Sequence, residues 1–279
     1  MPALDILTIA QLEETRLAIG VSEISDHVLP IKSGGLASRA LPGWWNNTAA
    51  GLGMSGPVAR EEIEELAKWY EDAGIEPRIE GCPLADPSLF KHCEDLNFRV
   101  RGFDNVLYRE LSKGERAKPA QAPDPSITCR IVDKNDDAEV RKYSRLSMTG
   151  FSPPDFVPPE TDFELWARVV KHPRTVSFIA SIRDATGVHD AAAGAIEVHE
   201  QIACLFGLST LAPFRKRGLQ QSLIAARLNL AAERGVRVAT IGSRPGAGTE
   251  RNVRRMGFQT AYTKVFLTRA GPNLVPARG

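Results

Sequence analysis

Residues 210–223 read TLAPFRKRGLQQSL, and the fold is decided there. A nearly uncharged apolar run, Ile202 to Leu211, leads in, and an amphipathic helix leads out to Gly235. Arg215, Lys216, Arg217 and Gly218 sit where that helix begins. A strand, a basic glycine turn and a helix N-terminus in this order build an anion site, because free N–H groups and the positive end of the helix dipole converge on one point. Glycine lets the backbone approach a phosphate closely, and the arginines add charge-assisted hydrogen bonds. Taken alone, the same residues also read as an ordinary strand-to-helix turn with solvated basic side chains.

The run Arg215-Lys216-Arg217-Gly218-Leu219-Gln220 resembles the Gln/Arg-x-x-Gly-x-Gly/Ala signature of the GNAT superfamily of N-acetyltransferases. It departs from that signature at its last position, where Gln220 replaces Gly or Ala. The surrounding parts follow in the family's order over Ala191 to Leu267. Gly207 interrupts the apolar strand, and a glycine within a strand often marks a bulge. Val236 to Gly242 reads as the next strand and Pro245 to Gly248 as a loop. A short helix then ends in Asn252-Val253-Arg254-Arg255-Met256-Gly257-Phe258. In the family the bulge splays two parallel strands so that pantetheine slides between them, and the basic turn grips the pyrophosphate of acetyl-CoA.

The rest of the composition is restrained. With 279 residues, a net charge of +1 and 25% charged residues, the chain suits about two domains and shows no global field for nucleic acid or membrane. The cysteines (Cys82, Cys93, Cys129, Cys204) lack metal spacing or a Cys-x-x-Cys pair, and two of them sit in apolar strand or helix patterns that read as buried free thiols, which favours a reducing compartment. The N-terminal residues carry acids early and do not form a signal peptide, and no apolar run reaches the roughly 20 residues of a membrane helix. A soluble cytoplasmic protein is expected, with homodimerisation left open.

Upstream, Leu4 to Leu29 reads as helical, Pro30 to Gly43 as irregular and Trp44 to Met54 as a strand. Val58 to Ala73 is a helix with Pro57 at its start, early glutamates and Gly74 at its end. Pro77 to Cys82 is a strand, Asp86 caps a helix to about Leu96, and Phe98 to Leu111 is a strand broken at Gly102. Helix, glycine, strand, short helix, phenylalanine and strand thus recur in both halves, with the spacing from Gly74 to Phe98 matching that from Gly235 to Phe258 within about one residue. The predicted fold is α/β (α+β): two GNAT-like domains, each a mixed, mostly antiparallel sheet with flanking helices, the C-terminal one carrying the splayed strands. The domains span residues 1–112 and 127–279, joined by a polar, proline-rich linker at 113–126. The first is expected to be degenerate and unable to bind acetyl-CoA, because it lacks the basic turn, carries Pro57 and opens its helix with acids.

In the second domain, Cys129 to Val132 is the first strand and Asp136 to Met148 a helix. Gly150 to Pro159 is a loop, and a helix capped by Thr161 runs through Val170. Val176 to Arg183 and Ala191 to His199 form a hairpin. The resemblance places acceptor-site closure on this helix–loop–helix region, where Phe151, Phe156 and Phe163 are candidates for lining a pocket or for packing. It implies acetyl-CoA as co-substrate and an amine acceptor, with cofactor-binding residues Leu208, Ser209, Thr210, Arg215, Lys216, Arg217, Gly218, Leu219, Gln220 and Asn252. Acetyl transfer needs a neutral amine, a stabilised oxyanion and a protonated leaving thiolate. The strand Ile202 to Leu211 holds no acid, so Glu197 on the preceding strand is the candidate base, the alternative being a solvated strand-end charge. Strand alternation sends His199 to the same face and Glu200 to the other. The family's tyrosine position, four residues before Gly257, holds Val253, and Tyr262 lies one strand further on. The histidines show no metal-ligand spacing, and Gly51 to Gly56 (GLGMSG) lacks the context of a dinucleotide loop.

Overall fold

The structure, a computed structural model, describes residues 4–278 apart from 123 and 154. In chain order the elements are α1 (Ile6–Ser22), β1 (His27–Pro30), β2 (Leu36–Arg39), β3 (Thr48–Ala50), α2 (Arg60–Glu71), β4 (Arg78–Gly81), α3 (Pro87–Asp95), β5 (Arg99–Glu110), β6 (Ile127–Ile131), α4 (Asp137–Phe151), α5 (Glu160–Lys171), β7 (Thr175–Asp184), β8 (Gly187–His199), β9 (Ile202–Thr210), α6 (Leu219–Glu233), β10 (Val238–Ser243), α7 (Gly248–Arg255) and β11 (Gln259–Thr268). The chain divides into two compact units, Met1–Val106 with Thr260–Gly279, and Leu107–Gln259.

The first unit orders its strands β1-β2-β3-β4-β11-β5. The pairs β1–β2, β2–β3 and β4–β11 are antiparallel, whereas β3 runs parallel to β4, with Ala49 facing Ile79. Ile63, Leu66, Ala67 and Tyr70, the predicted apolar stripe of α2, are fully buried, and they join Ile79, Leu89 and Leu267 in one core. The second unit orders its strands β10-β9-β8-β7-β6. Its antiparallel run ends in the parallel pair β9–β10. A core containing Leu205, Leu223, Leu228 and Val253 lies on the α6 face of this sheet. A smaller one of Val140, Tyr143, Ile179 and Ala195 lies on the α4 face. The expected architecture, α/β with mixed and mostly antiparallel sheets, is present.

Several boundaries differ from the sequence reading for local reasons. The helix expected to Leu29 stops at Ser22, where Ser22 and Ser25 hydroxyls donate to Ile19 and Val21 carbonyls and compete with the helix ladder. The irregular stretch Pro30 to Gly43 contains β2. The strand expected from Trp44 shrinks to Thr48–Ala50, because Asn47 folds its side chain back onto Ala40 N–H and Leu41 C=O at 2.7 and 2.8 Å and makes a turn instead. Helix α5 begins at Glu160 with Pro159 at its N-cap, not Thr161. Strand β5 runs through Gly102 without a break.

The segment expected as a linker is docked. Gly114 N–H donates to Ala232 C=O at 3.1 Å, Ala117 N–H to Asn229 Oδ1 at 2.7 Å, and Arg116 pairs with Glu233. These bonds hold it along α6, inside the second unit. The chain end is also reassigned: β11 pairs with β4, Val265 opposite Gly81, so residues from Thr260 on belong to the first unit rather than the second.

The recurrence between halves extends to hydrogen bonds. Ile75 N–H donates to Tyr70 C=O as Val236 does to Ala231, and Phe98 donates to Cys93 as Phe258 does to Val253. None of the cysteines forms a disulfide, and burial pushes the Cys82 and Cys129 thiols up to about 11 and that of Cys93 to about 12.

Candidate functional site

The site begins with a mismatch in the β8–β9 ladder. Ala193 faces Ser209 and Ala195 faces Phe206, so Gly194 alone opposes both Gly207 and Leu208. This is a β-bulge on β9, and Gly207 takes the left-handed φ of +61° that it requires. On the other edge of β9, parallel pairing with β10 ends at Leu205 opposite Ile241. Beyond that point β9 continues to Thr210 unpaired on that side, which is the expected splay. Leu211 N–H donates to Ala191 C=O, so ladder alternation turns the Leu208 and Thr210 amides toward the edge that β10 has left.

The turn that follows is built for anions. A 3₁₀ segment, Ala212–Phe214, leads to Lys216 at φ +64° and Gly218 at φ +90° as the N-cap of α6. The two left-handed residues turn the backbone sharply into the start of α6. No side chain caps α6 and its first turn holds no acid, which leaves the Leu219 and Gln220 amides and the dipole facing outward. The corresponding helix of the first unit is the opposite case: Glu62 accepts from Ala59 N–H at 2.9 Å and from Ser33 N–H at 2.8 Å, so its own carboxylate occupies the N-terminus.

Bulge, splay and turn enclose a cleft of ≈ 630 Å³. All ten expected cofactor residues line it: Leu208, Ser209, Thr210, Arg215 to Gln220, and Asn252. Its described lining also includes Arg251 and Arg255, giving five cationic side chains and no carboxylate. The sequence reading missed these two arginines, although their i, i+4 spacing on a helix that also presents Asn252 places them on one face. Thr210 Oγ1 is buried there without a hydrogen-bond partner.

Individual roles are more divided than the motif suggests. Arg215 spends Nε on Thr210 C=O at 3.1 Å and Nη2 on Gly150 C=O at 3.2 Å, clamping the end of α4 to β9. Gln220, at the position expected for Gly or Ala, turns its amide away to α7. It donates to Thr249 Oγ1 at 3.2 Å and accepts from Asn252 Nδ2, so the longer side chain leaves the cleft open. Arg217 pairs with Asp184 at 3.4 Å. The hydroxyl of Thr186 first, then its amide, Arg217 and His189 hold the Asp184 carboxyl below its ordinary range. Asp184 therefore competes with any anion for Arg217. We expect Asp184→Asn to tighten acetyl-CoA binding roughly two- to fivefold at low salt, the scale of an exposed ion pair, with the gain vanishing in high salt when titrated by calorimetry.

The catalytic candidates lie elsewhere. Glu197 faces Cys204 in the ladder, five residues before Ser209. The residue is 6% exposed, and its carboxylate meets Arg174 Nη2 at 3.2 Å, outside the cleft. Val253 is fully buried in the α6-side core. Tyr262 belongs to the first unit, where its hydroxyl donates to Glu14 at 2.6 Å. Of the three phenylalanines, Phe151 lines the cleft, whereas Phe163 is buried beneath the Arg141 guanidinium at 4.1 Å.

Comparison with solved structures identifies the architecture. A GCN5-related N-acetyltransferase from Kribbella flavida superposes with a TM-score of 0.71 at 18% identity, covering 98% of each chain. The chain has the GNAT fold. A tandem GNAT protein from the clavulanic acid biosynthesis pathway matches with a TM-score of 0.58 at 16% identity over 85% of this chain and 79% of its own. A GCN5-related N-acetyltransferase from Sphaerobacter thermophilus matches with a TM-score of 0.55 at 16% identity, over 80% and 71%. No protein-family model matches the sequence, and no curated protein sequence does either. Among the described residues no helix is long and apolar enough to cross a membrane.

Proposed function

We propose that the chain is an acetyl-CoA-dependent N-acetyltransferase acting on a primary amine of a small molecule or peptide. The observation that carries this reading is the single cleft in which a splayed strand edge, an uncapped helix N-terminus and five cations converge without a carboxylate. Such a donor set fits CoA. The phosphates match the amides of Leu219 and Gln220 and the side chains of Lys216, Arg217, Arg251 and Arg255. The pantetheine amides match the outward Leu208 and Thr210 amides and the partnerless Thr210 hydroxyl. Acetyl-CoA supplies an acyl group activated as a thioester. This chain binds it, orients it along the β9 edge and offers backbone amides to the developing oxyanion. The first unit is a degenerate copy, its helix N-terminus being closed by Glu62.

The absence of acid, histidine or tyrosine from the described lining favours a second reading, a protein that binds acyl-CoA as a signal and turns nothing over. Free-thiol release from acetyl-CoA, followed across amino acids, polyamines, aminoglycosides and peptide N-termini, separates the two. Saturable release with one amine supports the enzyme. Tight binding with no release across the panel supports the sensor.

A further inference from the structure

The bulge is built around a charge. Arg227, roughly two turns into α6, is fully buried. Its Nη1 donates to Ala195 C=O at 2.9 Å and Phe206 C=O at 3.2 Å, and its Nε donates to Leu223 C=O at 3.0 Å. Ala195 and Phe206 are the paired residues at one side of the ladder mismatch. A Cβ on Gly194 would stand 3.1 Å from the guanidinium carbon, so glycine opposite the bulge gives the cation its berth. Among the described residues no carboxylate offsets it: the ionisable groups that act on it are Tyr143, Cys204 and Cys129, and burial pulls its pKa down to about 10.

On the other face of the sheet, a Cβ on Gly207 would lie 3.1 Å from Tyr143 Oη and 3.7 Å from Ser147 Oγ. Arg227 Nη2 is buried without a hydrogen-bond partner, and Tyr143 Oη is buried beside the Ser147 and Ser177 hydroxyls. A buried guanidinium without a counter-charge is costly to desolvate, and even a buried ion pair can often be exchanged for apolar residues without loss of stability. Fold stability alone therefore gives weak reason for an arginine here.

We propose that Arg227 is a positioning residue of the cleft. By drawing two carbonyls to one nitrogen it fixes the bulge, and with it the direction of the Leu208 and Thr210 amides. This inference rests on the acyl-CoA reading and assigns Arg227 the pantetheine half of that site, leaving the phosphate half to the basic turn.

The test compares wild type, Arg227→Met and Arg227→Lys in two measurements. The first, hydrogen exchange without ligand, reads the geometry directly. Arg227→Met should speed exchange at least tenfold in peptides covering 193–196 and 205–210 while leaving α7 and β7 unchanged, with Arg227→Lys intermediate. The second is calorimetric titration with acetyl-CoA and with 3′-phospho-ADP, which lacks pantetheine. Affinity for 3′-phospho-ADP should stay within about threefold in all three proteins. The advantage of acetyl-CoA over it should fall at least tenfold in Arg227→Met and partly return in Arg227→Lys. Unchanged exchange at the bulge, or equal loss of both ligands by a variant that still melts cooperatively, overturns the proposal. Failure of wild type to bind either ligand, with the exchange effect present, overturns the acyl-CoA reading and leaves Arg227 as a structural pin.

Discussion

Lys264→Met should destabilise the first unit by about 3–5 kcal/mol, the scale of stranding one member of a buried ion network. Lys264 is 4% exposed, and its ammonium meets Glu14 at 3.0 Å and Glu80 at 3.3 Å. Glu14 is itself fully buried and also accepts from Tyr262 at 2.6 Å. The network ties α1, β4 and β11, three elements far apart in sequence. Methionine fills the space but strands the buried Glu14 carboxylate, whereas Glu80 keeps Arg78 Nη2 at 3.7 Å. At roughly 2–4 °C per kcal/mol, the transition of that unit should fall by about 6–20 °C. Lys264→Met with Glu14→Leu should recover more than half, because removing both partners removes the stranded charge. Burial lowers the Lys264 pKa, but the facing glutamates outweigh it and hold the ammonium above its ordinary 10.5. A folded pKa above the unfolded one means the contribution is fully present below about pH 10 and is lost only above it. Thermal melts of the three proteins at pH 7 decide the matter. Wild-type stability in Lys264→Met would contradict it.

Gly218→Asp should lower acetyl-CoA affinity at least 100-fold. Gly218 is the N-cap of α6 at φ +90° and ψ −11°, a region L-residues enter at a cost of about 1–2 kcal/mol. The larger effect is electrostatic. A carboxylate at the cap accepts from the first-turn amides and neutralises the dipole end, much as the Glu62 carboxylate, accepting from the N-cap Ala59 N–H, places negative charge at the start of α2. Loss of two charge-assisted bonds at about 1.5–3 kcal/mol each corresponds to roughly 10²–10⁴ in affinity. Calorimetric titration of the folded variant checks this, and Gly218→Ala should fall between the two.

Local chemistry is legible in the sequence where it governs structure within a few residues. Asp86 accepts from Ser88 N–H and caps α3 with Pro87 behind it. Asp136 likewise caps α4, Gly207 bulges β9, and the ten residues named around the basic turn line one cleft. What stays hidden depends on distant partners. The Asn47 turn needs Ala40 and Leu41. The docking of Arg116 and Ala117 needs Asn229 and Glu233 on α6, which a polar, proline-rich composition does not reveal. The pairing of β11 with β4 joins residues nearly two hundred positions apart. Arg227 reads as one more charge on an amphipathic helix, and only the gap opposite Gly194 shows where its guanidinium goes. Strand position singles out Glu197, but Arg174 and the distance along β9 take it out of the cleft.

Binding of acetyl-CoA in the cationic cleft is read out by the melting temperature of the purified wild-type protein against rising acetyl-CoA. Free ligand at roughly 100 times its dissociation constant should stabilise the folded state by about 2.7 kcal/mol. For the unit that carries the cleft this is a saturable rise of several degrees. A melting temperature that stays flat to millimolar acetyl-CoA would contradict the account.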